Sequence, residues 1–281
     1  MRSWYKYFIN YNTEEKIVAK DASFADHKKS MEGYSSAKGY GSKEDFFRTH
    51  FLNAHPRHRY YHDYLRTHLN KADNILSIGS GRCVNELLLA EEGFSITCSD
   101  LEQPCMGETA RLFPGMRFMK YDVTKGPVED KFDSIICLSI FYLFDKTMLA
   151  EVFRNVSDSL KPGGSFIVDP CGAENNVWTR IIDDIICPLE MVLIMFLKRL
   201  TGKRRCIVTK KHQGYRTTNA ELTAIAGKAG FRLRSIEKYD HFTEFGMRSN
   251  FFSRLPKGIV RLFGRGAPYV RMISFEKNLT E

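Results

Sequence analysis

The sequence predicts an α/β protein built on a mostly parallel sheet of seven strands, with helices on both faces. Three observations carry that reading. Short, continuously apolar runs alternate with amphipathic segments from Asn74 to Pro170; the first strand-to-helix junction is a Gly-rich turn; and the next strand ends on an acid, Asp100. Strands that are apolar throughout belong to a sheet covered on both faces, and the intervening helices supply the crossovers that parallel strands need.

Residues 1–72 are rich in aromatics and His and are expected to form a helical N-terminal cap. From Arg57 the spacing of Tyr60, Tyr61, Tyr64, Leu65 and Leu69 suits a helix packed on one face, and Pro56 separates it from the helix before. "MEGYSSAKGYGSKED" reads as a mobile loop. His50, His55, His58, His62 and His68 are spread around a helix by their spacing, which predicts solvated or capping roles and no metal site.

Residues 73–281 are expected to form the main domain. "NILSI" is a strand, "VNELLLAEEG" a helix stopped at Gly93, "FSITCS" a strand, "QPCMGETARLF" a helix, and "MRFMKYD" and "FDSIICLSI" strands. In "DKTMLAEVFRNVSDSL" Met148, Leu149, Val152, Phe153, Val156 and Leu160 share one helical face. "LKPGGSFIVD" then joins that helix to a strand through a Pro-Gly-Gly turn. "TTNAELTAIAGKAG" carries a capping box, Thr218 with Glu221, and a glycine stop at Gly230. "FRLRSIEKY" and "YVRMISFEKN" complete the seven strands. Two insertions stand out: an apolar stretch at 171–216, read as a lid kinked at Pro188, and a basic stretch at 241–268 between the last two strands.

The composition is that of a globular chain, 43% apolar and 27% charged over 281 residues. The seven cysteines show no metal-type pairing, and no apolar leader is seen, so reduced thiols and a cytoplasmic setting are expected. Charge is uneven. Lys198 to Glu281 holds 19 Lys+Arg against 6 Asp+Glu, or +13, and the rest of the chain is −4. An anionic partner on one side follows.

In an open parallel sheet, ligands bind beyond the carboxyl ends of the strands. Gly79 and Gly81, flanking Ser80, allow close backbone approach there. Asp100, followed by Leu101 and Glu102, stands where an acid can accept from ribose hydroxyls. Asp122 ends the third strand, where its carboxylate can receive an adenine amino group while Val123 packs on the ring. The strand ending at Leu138 points at the ligand's reactive part.

This ordered set resembles the class I S-adenosylmethionine-dependent methyltransferases, well over residues 74–170 and loosely through the last two strands. The resemblance implies a Rossmann-like fold with S-adenosyl-L-methionine as cofactor, bound by Gly79, Ser80, Gly81, Asp100, Leu101, Asp122, Val123 and Leu138. Two positions depart from the family pattern: Ser77 stands where an acid usually holds the donor's ammonium group, and Cys83 where a third glycine is common. The missing third glycine argues against a dehydrogenase, which packs a pyrophosphate there.

Methyl transfer needs no fixed catalytic motif, because the sulfonium supplies the chemistry. The Asn/Asp-Pro-Pro-Tyr motif of nucleobase amino methylation is absent, with "SIFYLF" in its place, which argues against nucleic acid as acceptor. A small-molecule or amphipathic lipid- or sugar-like acceptor is expected, with Tyr142, His212, Tyr215 and Arg216 at its pocket. The alternative is a catalytically silent protein of this fold acting as a basic membrane- or RNA-binding module. Peripheral contact with an anionic membrane is expected from the basic third, through Phe251, Phe252 and Phe263 and through Arg254, Lys257, Arg261 and Arg265.

Overall fold

The computed structural model describes residues 1–10, 41–52, 57–101, 111–170, 174–201, 207–239, 256–268 and 270–279. Its centre is a seven-stranded sheet. In chain order the strands are β2 (Asn74–Ile78), β3 (Ser95–Asp100), β4 (Arg117–Lys120), β5 (Phe132–Leu138), β6 (Leu160–Asp169), β8 (Phe231–Tyr239) and β9 (Val270–Lys277). They lie side by side as β4-β3-β2-β5-β6-β9-β8, with β9 antiparallel to both neighbours and the β4-to-β6 pairs parallel. The order reverses beside β2, which opens a crevice at the carboxyl ends of β2, β3 and β5.

Alternation along each strand feeds two cores. Leu76, Ile135, Cys137, Phe166, Val168 and Phe275 point to one face, where they meet α4 (Lys146–Ser159) and α7 (Asn219–Lys228). Ile75, Ile136, Ile167 and Met272 point to the other, toward α2 (Arg57–His68) and α3 (Val84–Glu91). Helix α4 buries Leu149, Val152, Phe153 and Val156, and its Asp145 cap accepts from Thr147 N and Met148 N at 2.9 Å each. The capping box at Thr218 and Glu221 forms as the sequence predicts.

The N-terminus differs from the expected helical cap. Residues Arg2–Asn10 form strand β1, which pairs antiparallel with β7 (Ile207–Arg216) in a separate two-stranded ribbon. The last ten residues of the expected 171–216 lid are therefore a strand, β7, paired with the N-terminus. A buried ionic cluster holds the ribbon: Arg216 Nε donates to Asp183 Oδ2 at 2.6 Å, Arg2 reaches the same oxygen at 3.0 Å, and the Arg216 guanidinium lies 4.2 Å from the Trp4 ring centre. The cap's helical part comes later, as α1 (Lys43–Phe47), continued by a π-helical turn to Leu52, and α2.

The expected Pro-Gly-Gly turn is absorbed into β6, which starts at Leu160 with an irregular register opposite Phe132 and Ser134. The insertion after β6 is a helical run: α5 (Val177–Arg180), a π-helical stretch Ile181–Ile186, and α6 (Cys187–Leu200). The wide turn falls just before Pro188, whose ring cannot continue regular i−4 bonding. The last insertion contains helix α8 (Lys257–Gly266). Outside the described residues lie most of the Gly-rich loop, His55, Glu102, most of "QPCMGETARLF", and Phe251, Phe252 and Arg254, together with the side chains of Lys257 and Phe263. Among the described residues no helix is long and apolar enough to cross a membrane.

Candidate functional site

A cavity of about 440 Å³ opens at the carboxyl ends of β2, β3 and β5, and its lining residues all lie between His50 and Phe144. Its floor is the turn after β2. Gly79 adopts φ 70°, and a Cβ there would stand 2.7 Å from Ile140 Cδ1. Gly81 adopts φ 52° and faces open space. The conformation disfavours a side chain at either position, and at Gly79 the contact with Ile140 does so as well. Hydrogen bonds staple the turn to β3: Ser80 N donates to Ser99 O at 2.9 Å, and Gly81 N donates to Asp100 Oδ2 at 2.8 Å.

Seven of the eight positions expected to hold the donor meet here: Gly79, Ser80, Gly81, Asp100, Leu101, Val123 and Leu138 line the cavity. Asp122 does otherwise. Its carboxylate accepts from Thr124 N at 3.1 Å and Thr124 Oγ1 at 2.6 Å, closing a local turn, and the neighbouring Tyr121 lines the cavity. Cys83 takes φ 53°, the left-handed conformation a glycine would adopt without strain, and caps α3 with its side chain buried.

Ser77 is answered from α3. Its Oγ donates to Glu86 Oε1 at 2.6 Å, and both Glu86 and Asn85 line the cavity. Burial raises the Glu86 pKa, the Ser77 hydrogen bond opposes that rise, and the charge of Asp100 adds to it. An acid absent at position 77 thus stands at the cavity nine residues later, in the first turn of α3.

Helix α2 and the β5 tip also line the cavity. Tyr61 donates its hydroxyl to Asp169 Oδ2 and lies 2.9 Å from Ser139 Oγ, which in turn donates to Asp169 at 3.2 Å. Ser139 sits at φ 61°, strained backbone of the kind that clusters at functional sites. Asp169 is fully buried; burial raises its pKa, against the Tyr61 hydrogen bond and the charge of Arg271. Arg57, His58 and Arg82 line the same side, with His50 Nδ1 3.1 Å from Arg82. Burial, then the charge of Arg82, lowers the His50 pKa. The sequence predicted only solvated or capping roles for His50 and His58. The one signal for a site was the spacing of His58 and Tyr61, three apart on one helix face.

The four residues expected at the acceptor pocket gather elsewhere. Tyr142, in the 3-10 turn Phe141–Leu143, meets the edge of Trp4 at 6.2 Å, and its carbonyl fills the space a Cβ at Gly214 would need. His212 lies between Tyr5 and Tyr215, at 5.3 and 5.1 Å. Arg216 is committed to Asp183 and Trp4. They form a ribbon cluster that abuts the cavity wall at Leu143 and Phe144.

Sheet order and cavity together define the fold of the class I methyltransferases. Residues 75–164 match the family model described as a methyltransferase domain. Solved structures agree. A Burkholderia thailandensis 1,6-didemethyltoxoflavin-N1-methyltransferase, with its acceptor and S-adenosylhomocysteine bound, is 14% identical at a TM-score of 0.52, over 90% of this chain and 88% of its own. The N-methyltransferase NodS of Bradyrhizobium japonicum, with S-adenosylhomocysteine, is 14% identical at 0.51, over 89% and 97%. Magnesium protoporphyrin IX methyltransferase from Synechocystis, with S-adenosylhomocysteine, is 13% identical at 0.50, over 90% and 95%. No curated protein sequence matches the chain.

Proposed function

We propose that the chain is an S-adenosylmethionine-dependent methyltransferase acting on a small or amphipathic acceptor that carries an anionic group. The observation that carries this reading is one cavity lined by both acids and cations. Asp100 and Glu86 line it with the Gly79–Gly81 turn, and so do Arg57, Arg82, Tyr61 and Ser139.

The donor-side residues fit the cofactor. Open space at Gly81 admits a ligand against the backbone, Asp100 offers a carboxylate to ribose hydroxyls, and Val123 and Leu138 give apolar surface for a base. Glu86 offers a carboxyl group to the donor's ammonium, whose charge would oppose the effect of burial and favour the ionised form, and this supports an active protein over a silent one. When bound, S-adenosylmethionine supplies an electrophilic methyl group on a sulfonium.

The chain's own residues do the rest. Arg57 and Arg82 attract and orient an anionic acceptor. Tyr61 Oη takes the proton that an acceptor hydroxyl or amine loses as its lone pair forms the new bond, while Tyr61 passes its own proton to Asp169 Oδ2. Burial, which raises the Asp169 pKa, makes it a stronger base than an ordinary carboxylate. Ile140, Leu143 and Phe144 keep the space poor in water.

Labelled donor incubated with a cell extract tests this, followed by anion-exchange separation and mass spectrometry. Label is expected in a small or lipid-like anionic compound. Label in a cationic or neutral product overturns the acceptor class; donor binding with no labelled product in any fraction restores the silent alternative.

A further inference from the structure

Helix α6 presents its apolar stripe to solvent. Leu189, Val192, Leu193, Phe196, Leu197 and Leu200 follow the i, i+3, i+4, i+7, i+8, i+11 spacing of a core face, yet their exposures run from 47% to 68%. A helix packed on a sheet normally turns such a stripe inward. Here the inward side carries buried Glu190 and half-buried Met191, Ile194 and Met195, set against the β1–β7 ribbon. Phe8, opposite Thr209, and Ile207, opposite Asn10, lie near one end of that ribbon and are exposed as well. An apolar surface of this size on a folded protein marks an interaction site.

Charge decides the partner. From Cys187 to Lys211 the chain has seven Lys and Arg and one acid, Glu190, which is turned inward. Lys198 and Arg199 end α6 itself, and Lys210 and Lys211 lie on β7. Two copies meeting through this face would bring like charge against like charge. An anionic bilayer accepts both features: the stripe enters the headgroup–acyl boundary and the basic residues meet the lipid phosphates. Helix α8 repeats the pattern on a smaller scale, with Ile259, Leu262, Arg261 and Arg265 all exposed.

We propose that the outer face of α6, with Phe8 and Ile207 of the β1–β7 ribbon, docks the protein on an anionic membrane surface. The docking stands apart from methyl transfer, so its test reads binding alone. Flotation is run with phosphatidylcholine vesicles and with phosphatidylcholine–phosphatidylglycerol vesicles, at low and high salt. The wild-type protein is expected to float with the anionic vesicles at low salt and to be released by high salt. Leu193→Glu with Phe196→Glu should cut partitioning by at least about tenfold, since it removes two inserting side chains and adds two repelled charges. Melting temperature and near-ultraviolet circular dichroism should match wild type, because both positions are exposed. A wild-type protein left at the bottom of the gradient at low salt overturns the proposal, as does a double variant that floats as wild type does. Equal flotation with both vesicle types overturns the electrostatic part. A concentration-dependent dimer in sedimentation, abolished by the double variant and without flotation, assigns the face to self-association instead.

Discussion

Ser77 Oγ and Glu86 Oε1 stand 2.6 Å apart, bridging strand β2 to helix α3 beneath the Gly79–Gly81 turn. The bridge puts the cavity's acid on a helix, with a serine where a strand-borne acid would otherwise stand. Glu86→Gln keeps an oxygen for Ser77 and removes the charge. S-adenosylhomocysteine affinity, measured calorimetrically, should fall by about ten- to a hundredfold, the range for a lost hydrogen bond to a charged group. The melting temperature at neutral pH should hold or rise, because a buried charge is gone. Unchanged affinity would remove Glu86 from the donor site.

The same residue gives the stability a pH slope. Its folded pKa is raised, so the folded state binds the proton more tightly than the unfolded one. The stabilisation is complete below the unfolded value of 4.5 and is lost as pH rises through the folded value. His50, whose pKa is lowered, gives the opposite slope below its ordinary 6.5. The difference between wild type and Glu86→Gln cancels His50 to first order. Denaturant titrations between about pH 5 and 8 should show wild type losing stability relative to the variant as pH rises. A flat difference would mean that Glu86 is not protonated more readily in the fold.

Asp100 has two roles that substitutions can separate. Asp100→Asn keeps an acceptor for Gly81 N or Leu101 N but loses the charge offered to a ribose. Asp100→Ala loses both. Donor affinity should fall by about tenfold or more in each, with the larger fall in Asp100→Ala. Hydrogen exchange at residues 79–82 should quicken in the Ala variant. Two variants with wild-type affinity would sink the ribose assignment.

Tyr61→Phe removes the hydroxyl that links the cavity to Asp169. Turnover of the labelled product should drop by about a hundredfold, in the range of general acid–base contributions. Donor affinity should change little. A fall in donor affinity without a fall in turnover would place Tyr61 on the wrong side of the cavity.

Asp183→Ala leaves buried Arg216 without its carboxylate. Stability should decrease by about 3–5 kcal/mol in equilibrium unfolding, the cost of an orphaned buried charge. Donor affinity should be preserved in the folded fraction, because the pair braces the ribbon and not the cavity. A mild effect on stability with a loss of turnover would return Arg216 to the acceptor pocket.

The sequence by itself determined the sheet, its helices and most of the donor turn. These depend on short-range signals: apolar runs at strand length, helical spacing in α4, the Thr218–Glu221 cap, and glycines where the backbone must turn left-handed. Tertiary structure decided what depends on pairing between distant segments. Residues 2–10 carry strand-favouring Trp4, Tyr5, Tyr7, Phe8 and Ile9, but the partner that makes them β1 is β7, some two hundred residues away. Arg216 became structural for the same reason, once Asp183 and Trp4 closed around it. Glu86 and Tyr61 read as ordinary helix residues until packing turned one toward Ser77 and the other toward Asp169. Even the apolar stripe of α6 reads as core. Only the packed ribbon beneath it leaves that stripe facing outward, because periodicity fixes which residues share a face and tertiary contacts choose which way the face points.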